Sequence, residues 1–438
     1  MADIRPFRGL RYNPAVAVDL GSVLCPPYDA ITPSERERLY SQSPLNVVRL
    51  EASRPLPTDD DDHNPYTRAA GQLADWIRSG VLLAEPGPSY YLAQEEFGAG
   101  DQRSFRLGLY ASVRLEEYER GVVLPHEHTQ RGPKEDRMRL MQATGANFSP
   151  IMGLYRDGGA LRQVLEGVMA GGLPDYAATT GDDATHRVWV MRDRGVQETV
   201  RRMLESQPLY LADGHHRYET ALAYRDRRRL ADEERDGAAS EFVLMCLLEV
   251  QDPGLRLLSF HRLVSGLTRE GLDALGDRVR AVFDVRDEPM GSLSEDALST
   301  RLAQVVARRS GGPALGLLEP AEGRFSILSL RADAEGLPVA DALTPELMRC
   351  EPWLLHQGVL DQSPAGSVPG RVEFVHELAE VARMAGESSC QAVFLVPPID
   401  MDVFEAVVRR GRRLPSKSTY FAPKLPTGLV MNSLEGTL

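Results

Sequence analysis

Residues 208–223 read PLYLADGHHRYETALA, and this stretch decides how the chain is interpreted. The apolar segment Pro208–Ala212 predicts a strand, and the segment Tyr218–Leu230 predicts a helix. The polar residues Asp213–Arg217 lie between them and predict a tight turn that opens the helix. The first amide N–H groups of a helix have no acceptor within it and lie at the positive end of its dipole. The turn is therefore a candidate phosphate-binding site.

Each polar residue of this turn has a specific capability. Gly214 lets the backbone approach a ligand closely or adopt a positive φ. His215, His216 and Arg217 add hydrogen-bond donors and positive charge. Asp213 can cap the helix or hold a metal ion. A simpler interpretation stays open, in which Asp213 is an ordinary N-cap that precedes exposed basic residues.

A second polar stretch around residue 126 combines an acid, a base and cations. Its candidate site residues are His126, Glu127, Thr129, Lys134 and Arg137. Glu127 can act as a general base on a substrate hydroxyl if partial burial raises its pKa. Lys134 and Arg137 can offset charge on a phosphate in the transition state. The alternative is a polar surface loop whose charges satisfy each other.

Lysine is rare in this chain, because only Lys134, Lys417 and Lys424 are lysines among 50 basic residues. Where Arg stands almost everywhere else, a remaining Lys indicates a position that needs a compact ammonium group. Ser418 adds a hydroxyl beside Lys417. We therefore predict that Lys417, Ser418 and Lys424 bind phosphate or carboxylate groups. The alternative is a polar loop near the chain end.

The run Pro26-Pro27-Tyr28-Asp29 is stiff, because Pro27 biases Pro26 towards an extended conformation. Such a run can present Asp29 at a fixed angle, which makes it a second candidate acid or base. An aspartate that follows a proline-rich turn is equally often a routine residue in the segment that leads into a helix.

Zinc is a less favoured interpretation. His126, His128, His215 and His216 could supply imidazole ligands. Adjacent histidines on a helix point apart, however, so they rarely reach the same ion. The sequence therefore favours no metal ligands in the protein, and a zinc site of these histidines with Asp29 or Asp213 stays the less favoured alternative. A magnesium ion carried by a nucleotide is favoured, because it needs only one or two carboxylates.

Four motifs together resemble known families. Asp213–Arg217, followed by a helix, is similar to the phosphate-binding signature of the ParB and sulfiredoxin superfamily, which includes nucleotide switches and free-serine kinases. With Leu24–Ile31, Pro125–Thr129 and Lys417–Leu425, nearly the whole chain resembles a prokaryotic family known as domain of unknown function 1015. The resemblance implies a ParB/sulfiredoxin-like α+β core that binds ATP or ADP. It also suggests free L-serine or O-phosphoserine as the substrate.

Composition limits the other possibilities. The chain has 438 residues, of which 42% are hydrophobic and 26% charged, as in ordinary soluble globular proteins of two or three domains. A net charge of −13 argues against general nucleic-acid binding. The four cysteines show no CxxC spacing, which fits reduced thiols. There is no apolar run long enough to cross a bilayer and no signal-peptide pattern, so we expect a cytoplasmic protein without membrane contact.

Strand and helix patterns interleave irregularly, which predicts an α+β or mixed α/β fold. We place a boundary near residue 265. Residues 1–265 would form the phosphate-binding catalytic domain with an N-terminal extension, and residues 266–438 an α/β domain that contributes a lysine-containing loop to the site. The stretch Gly121–Pro133 is too polar to predict a core element, and Arg371–Met384 predicts a helix.

The favoured function is phosphoryl transfer between a nucleotide and a small hydroxylated metabolite. The turn Asp213–Arg217 would hold the nucleotide phosphates, and Glu127 or Asp29 would deprotonate the hydroxyl. Oligomeric state is not encoded in any motif, and a homodimer is the default expectation. Two alternatives stay open. One is a ParB-like nucleotide switch, although we find no helix-turn-helix pattern, and the other is a metal-dependent phosphoesterase or hydrolase that uses the histidines.

Overall fold

A computed structural model describes residues 1–98, 103–181, 183–231, 237–334, 337, 345–361 and 370–438. Contacts divide the chain into two compact units. Unit 1 comprises Met1–Arg256 and Pro423–Leu438, and unit 2 comprises Leu257–Ala422. Both units combine helices with a sheet, so the predicted mixed α/β fold class is confirmed. The catalytic roles predicted for residues 1–265 and 266–438 stay predictions.

The regular elements alternate along the chain. The strands are β1 (Ile4–Arg5), β2 (Leu10–Tyr12), β3 (Leu82–Ala84), β4 (Tyr90–Phe97), β5 (Ser104–Arg114), β6 (Val123–Leu124), β7 (Ala146–Asn147), β8 (Ile151–Tyr155), β9 (Tyr176–Thr179), β10 (Thr185–Met191), β11 (Leu209–Asp213), β12 (Phe242–Glu249), β13 (Arg256–Leu258), β14 (His261–Ser265), β15 (Phe283–Pro289), β16 (Ala314–Glu319), β17 (Arg324–Leu330), β18 (Arg371–Val375), β19 (Cys390–Leu395), β20 (Tyr420–Ala422) and β21 (Asn432–Ser433). The α-helices are α1 (Pro33–Gln42), α2 (Val48–Glu51), α3 (Pro65–Arg78), α4 (Arg131–Thr144), α5 (Ala160–Ala170), α6 (Arg194–Glu205), α7 (His215–Ala231), α8 (Arg269–Val282), α9 (Glu295–Arg308), α10 (Glu351–Leu355), α11 (Leu378–Ala385) and α12 (Met401–Arg409).

Unit 1 is built on a nine-stranded mixed sheet. Its strand order is β6-β11-β8-β12-β5-β4-β10-β9, and β1 pairs with β5. Strand β12 is buried along its whole length, as its apolar sequence FVLMCLLE requires, and lies parallel to β8 and antiparallel to β5. Strand β11 runs antiparallel to β8, with an irregular register between Leu211 and Asp213. The end of β11 therefore carries a local distortion where α7 begins.

Helices of unit 1 cover this sheet and a smaller apolar cluster. Helix α3 begins with a capping box, in which Asn64 accepts from the amide of Thr67 while the hydroxyl of Thr67 accepts from the amide of Asn64. Helix α4 packs against α3 and α7. Its buried residues Met138 and Met141 join Tyr218 of α7 in the main core. The α4–α7 contact therefore brings two of the polar motifs into one unit.

Unit 2 contains a six-stranded sheet with the order β15-β17-β16-β19-β14-β18. Helices α9 and α11 contact its strands β16 and β19. A helix over Arg371–Met384 was the wrong prediction for its first part, because Arg371–Val375 forms β18 and pairs antiparallel with β14. Its sequence RVEFV alternates polar and apolar residues, which suits a strand. The helix α11 begins only at Leu378.

The stretch Gly121–Pro133 also differs from its prediction. Val123–Leu124 forms the short strand β6, which pairs parallel with β11, and α4 begins at Arg131. Pro133 is tolerated there because the first turn of a helix needs no backbone donor from it. In the part of the chain that the structure describes, none of the helices combines the length and apolar character needed to cross a bilayer.

Candidate functional site

The turn between β11 and α7 requires glycine on two counts. Gly214 has a φ of +93°, a conformation that L side chains rarely adopt. A Cβ atom at this position would lie 3.1 Å from the guanidinium of Arg217. The amide of Tyr218 donates to the carbonyl of Gly214 at 2.9 Å, which places the start of the helix directly after the turn. The turn thus joins a sheet strand to the amide end of α7.

Asp213 lies between two cations. Its Oδ2 accepts a hydrogen bond from the guanidinium of Arg217 at 2.6 Å, and its Oδ1 pairs with the ammonium of Lys424. Arg217 also donates to the carbonyl of Pro150 at 2.5 Å. The Nε of Arg217 is buried and has no hydrogen-bond partner among the described residues. The carboxylate of Asp213 therefore contacts two cations at the turn.

Both histidines of the turn accept hydrogen bonds from the loop that precedes α4. The Nε2 of His215 accepts from the amide of His126 at 3.3 Å, and the Nε2 of His216 accepts from the amide of Gln130 at 2.9 Å. The ring of His126 meets that of His215 edge-on, 4.5 Å between centroids, and its Nδ1 lies 2.7 Å from the carbonyl of Leu211. The imidazoles therefore hold residues 126–130 against the start of α7.

Glu219 anchors the second polar stretch, and sequence reasoning missed it. Its Oε2 accepts from the hydroxyl of Thr129 at 2.5 Å and from the ammonium of Lys134 at 2.9 Å. Glu219 lies four residues after His215, on the same side of α7. That spacing within the motif is the signal that could have identified Glu219.

Arg137 sits in a second group of charges on α4. Its guanidinium donates to Asp136 at 2.5 Å, lies 3.3 Å from the carboxylate of Glu51, and stacks 4.1 Å from the centre of the Tyr28 ring. Burial opposes the charged form of Arg137, but the carboxylates of Glu51 and Asp136 outweigh it, so the pKa of Arg137 is raised. Glu51 is 2% exposed and also accepts from the hydroxyl of Ser149 at 2.6 Å. Nothing near Glu51 in the sequence signals this role.

The remaining predicted site residues occupy different positions. Glu127 is half-buried in the loop that the histidines hold, and Asp29 is exposed in the 3₁₀ turn Tyr28–Ala30. Lys417 and Ser418 belong to unit 2. The carbonyl of Lys417 accepts from Arg262, and the hydroxyl of Ser418 donates to a backbone carbonyl at 2.6 Å. The ligand-binding roles of Lys417 and Ser418 stay predictions.

Unit 1 therefore brings together most of the predicted residues. The structure places Asp213, Gly214, His215, His216, Arg217, His126, Thr129, Lys134, Arg137 and Lys424 on the start of α7 and its neighbours α4, loop 126–130 and the segment after residue 422. Arg217 and Arg137 line one cavity of about 40 Å³, which has room for water rather than for a nucleotide. In the described ranges, no three His, Cys, Asp or Glu side chains form a group that could hold a metal ion.

Comparisons with known proteins place the chain in a family. The family model described as "Protein of unknown function (DUF1015)" matches residues 4–342. A search of curated proteins gave no match. Similar solved structures include a free serine kinase in complex with AMP (14% identity, TM-score 0.32, covering 73% of this chain and 92% of that one). Others are a conserved hypothetical protein from Pyrococcus furiosus (13%, 0.35, 73% and 93%) and SbnI with C-terminal truncation from Staphylococcus aureus (12%, 0.36, 75% and 87%). These identities and TM-scores are too low to support an inference of function from those structures. The function is therefore inferred from the side chains of this chain.

Proposed function

We propose that this chain, which belongs to the DUF1015 family of proteins of unknown function, catalyses nucleotide-dependent phosphoryl transfer to or from the hydroxyl of a small metabolite. Free L-serine and O-phosphoserine are the first substrates to test. One observation carries the proposal: the amide end of α7, the guanidinium of Arg217 and the ammonium of Lys424 meet at a turn that Gly214 keeps free of a side chain. Helix amides and paired cations are a common arrangement for binding phosphate.

The residues present fit the phosphates of ATP or ADP. Arg217 and Lys424 both contact the carboxylate of Asp213, and phosphate oxygens could take its place beside these two cations. The Nε of Arg217 is a further donor that has no partner in the described ranges. Lys134 is one-third exposed on α4 and would contact a phosphate at the edge of the same cluster.

Magnesium would enter with the nucleotide. Its preferred ligands are oxygens, and in nucleotide sites it needs only one or two carboxylates besides the phosphates. Asp213 is the carboxylate that fits, because phosphate binding would free it from Arg217 and Lys424. When bound, the ion would neutralise charge on the phosphate oxygens.

Glu127 would act as the base of the reaction. It lies next to His126, whose backbone amide and ring are fixed by His215 and the carbonyl of Leu211. In the forward direction, the carboxylate of Glu127 takes the hydroxyl proton as the acceptor oxygen forms a bond with the terminal phosphorus. The bond from that phosphorus to its bridging oxygen breaks, and the bridging oxygen keeps the electron pair. Asp29 is the second candidate for this role.

Catalysis by these residues would consist mainly of positioning and charge stabilisation. Arg217, Lys424 and Lys134 would hold the transferred group while Glu127 orients the acceptor. The same groups could run the reaction in reverse, from O-phosphoserine to ADP. A homodimer and a cytoplasmic location stay predictions from the sequence.

Phosphorus NMR tests this proposal with the full chain and Mg²⁺. ATP, ADP, CTP and pyrophosphate are each combined with L-serine, L-threonine and L-homoserine, and O-phosphoserine is combined with ADP. We expect a new phosphate ester, or its loss, with at least one pair. If no pair reacts, the proposed transfer is wrong. If phosphate is released to water alone, the proposed transfer is also wrong and a hydrolase is favoured.

Glu127→Gln supplies the sharper test of the mechanism. Removal of a general base lowers the rate roughly 10²–10⁴-fold while nucleotide affinity is kept. The matched control is Glu198→Gln on α6, whose carboxylate is half-exposed and pairs with Arg201 at 2.8 Å. Equal rates in the two variants would show that a residue other than Glu127 acts as the base.

A further inference from the structure

A cleft of about 310 Å³ lies in unit 1 beside the charged group of Arg137. Its volume is at the lower end of the range for small-molecule sites. The polar side chains that line it include Tyr28, Arg36, Glu51, Ser53, Asp136 and Arg137. Neither Arg36 nor Ser53 was singled out by the sequence motifs. The cleft is therefore a candidate binding site that is separate from the turn at Gly214.

Among the described residues, the guanidinium of Arg36 has no partner. Arg36 lies half-buried on α1, and within the ranges the structure describes its guanidinium makes no hydrogen bond or ion pair. Its neighbour Arg38 on the same helix pairs with Glu35 at 2.6 Å. A guanidinium that lines a cleft with its donors unused is suited to a carboxylate.

The other side of the cleft has the opposite charge balance. Glu51 and Asp136 share the single guanidinium of Arg137, so this group carries one more negative than positive charge. Asp136 is 42% exposed, and its Oδ1 accepts from the hydroxyl of Tyr66 at 2.8 Å. With Arg36 included, the cleft is neutral overall but has a cationic and an anionic side. Such a cleft suits a ligand that carries both charges.

Two hydroxyls complete the lining. Burial raises the pKa of Tyr28 to about 12, so its hydroxyl stays protonated at neutral pH. In the described part of the chain, neither this hydroxyl nor that of Ser53 has a protein hydrogen-bond partner. Both can donate to a ligand or accept from one.

The cleft is also adjacent to the phosphate-binding turn. Glu51, Arg137 and Leu140 line both the cleft and the cavity that Arg217 lines. The positive charge of Arg217 also influences the Tyr28 hydroxyl. A ligand in the cleft would therefore lie next to the group that we expect to hold the transferred phosphate.

We propose that this cleft binds the acceptor as a zwitterionic α-amino acid, with Arg36 on its α-carboxylate and Asp136 on its α-ammonium group. This assignment rests on the proposed phosphoryl transfer, because the bound amino acid is an acceptor only if transfer occurs. Binding of the amino acid to the cleft does not itself require transfer. The assignment also explains why Arg36 lines a cleft with no partner for its guanidinium among the described residues.

The test separates the two charges of the ligand. Dissociation constants of L-serine, ethanolamine and 3-hydroxypropionate are measured by NMR titration of the full chain. Ethanolamine lacks the carboxylate, and 3-hydroxypropionate lacks the ammonium group. We expect Arg36→Gln to weaken L-serine and 3-hydroxypropionate at least tenfold and to leave ethanolamine unchanged, because one charge-assisted contact is lost. Asp136→Asn should show the opposite selectivity.

Arg38→Gln is the matched control, because Arg38 lies on the same helix with 57% of its side chain exposed. Equal losses in the Arg36 and Arg38 variants, or no binding of L-serine, L-threonine or L-homoserine to the wild type, would overturn the cleft assignment. If Asp136→Asn unfolds, the Arg36 variant and its ethanolamine comparison decide alone.

Failure of this assignment differs from failure of the proposed function. Amino-acid binding that depends on Arg36, without transfer from any nucleotide, would overturn only the phosphoryl transfer. Transfer to L-serine with an unchanged KM in Arg36→Gln would overturn only the role of the cleft. In Arg36→Gln and Asp136→Asn, ATP affinity should stay within twofold of the wild type, since neither residue lies at the turn of Gly214.

Discussion

Arg217 in unit 1 and Arg262 in unit 2 are both buried, but their charges are balanced in different ways. Arg217 pairs with the carboxylate of Asp213 at 2.6 Å. Arg262 is 0% exposed, and its guanidinium donates to the backbone carbonyls of Phe260 and Lys417. Burial lowers the pKa of Arg262 to about 10. Within the described residues, it forms no ion pair.

This difference indicates what each charge can do. Asp213 is a side chain, so a phosphate bound as proposed could take its place beside Arg217 without a change of backbone. The carbonyls around Arg262 are fixed by the fold, and carbonyl dipoles satisfy hydrogen bonds without cancelling a full charge. Burial therefore disfavours the charged form of Arg262, and we interpret it as a structural residue. The exchangeable charges of unit 1 are the ones suited to a ligand.

If the buried charges of unit 1 depend on their carboxylate partners, the loss of Glu51 should destabilise this unit most. Glu51→Gln leaves the buried guanidinium of Arg137 with less compensation. We expect the free energy of unfolding to fall by about 3 kcal/mol, the lower end of the range for buried pairs that lose one member, because Asp136 still pairs with Arg137. Denaturant unfolding measures this loss.

The control for that variant is Glu37→Gln. Glu37 pairs with Arg54, but 56% of its side chain is exposed. Exposed pairs contribute less than about 1 kcal/mol, so this variant should change stability little. Similar losses for the two substitutions would contradict the importance of burial for the charges of unit 1.

The stability of unit 2 should depend on pH through His261. Burial, followed by the charges of Arg262 and His376, lowers the pKa of His261 to about 4. The Nδ1 of His261 accepts from the amide of Val396 at 3.1 Å, and protonation of Nδ1 would remove this bond. A base with a depressed pKa in the folded state stabilises the fold above its unfolded value near 6.5 and loses that contribution as pH falls towards 4.

Unit 2 should therefore lose about 3 kcal/mol of stability through His261 between pH 6.5 and 4. His261→Asn keeps an acceptor near the position of Nδ1 but does not titrate, so its stability should fall less steeply over this range. The control His63→Asn replaces a histidine whose side chain is 86% exposed. Parallel stability profiles of wild type and His261→Asn would refute this account.

Gly214→Ala has a smaller expected effect, confined to the turn. A φ of +93° disfavours alanine by about 1–2 kcal/mol, and the new Cβ would press on the guanidinium of Arg217. We therefore expect Gly214→Ala to lower both the affinity for ATP and the free energy of unfolding. Gly71→Ala in α3, where a Cβ would meet no atom within 4 Å, should instead stabilise by about 0.5–1 kcal/mol. An unchanged ATP affinity in Gly214→Ala would indicate that the turn holds no ligand.

Local signals were sufficient for the elements around the turn. The prediction of a strand at Pro208–Ala212 and a helix at Tyr218–Leu230 matches β11 and α7 within a few residues, because an apolar run and an early alanine-rich helix are both local patterns. In contrast, β18 depends on pairing with a strand more than 100 residues earlier in the chain. A short alternating run beside a helix pattern does not reveal such a partner.

The same distinction applies to the candidate site. Asp213–Arg217 could be identified because its residues are contiguous in the sequence. Glu51 could not, because its partner Arg137 lies 86 residues away and nothing near Glu51 signals a buried charge. Arg36 was missed because its significance lies in the lack of a protein partner within the described residues, which only the fold can show.

Calorimetric titration of the full chain with Mg²⁺–ATP tests the exchange of partners at Arg217 most directly. The wild type should bind, and Arg217→Gln should weaken binding at least tenfold, because a charge-assisted contact to phosphate is lost. Arg38→Gln should leave the affinity unchanged. Equal ATP affinity in all three proteins, or no binding to the wild type, would contradict the account.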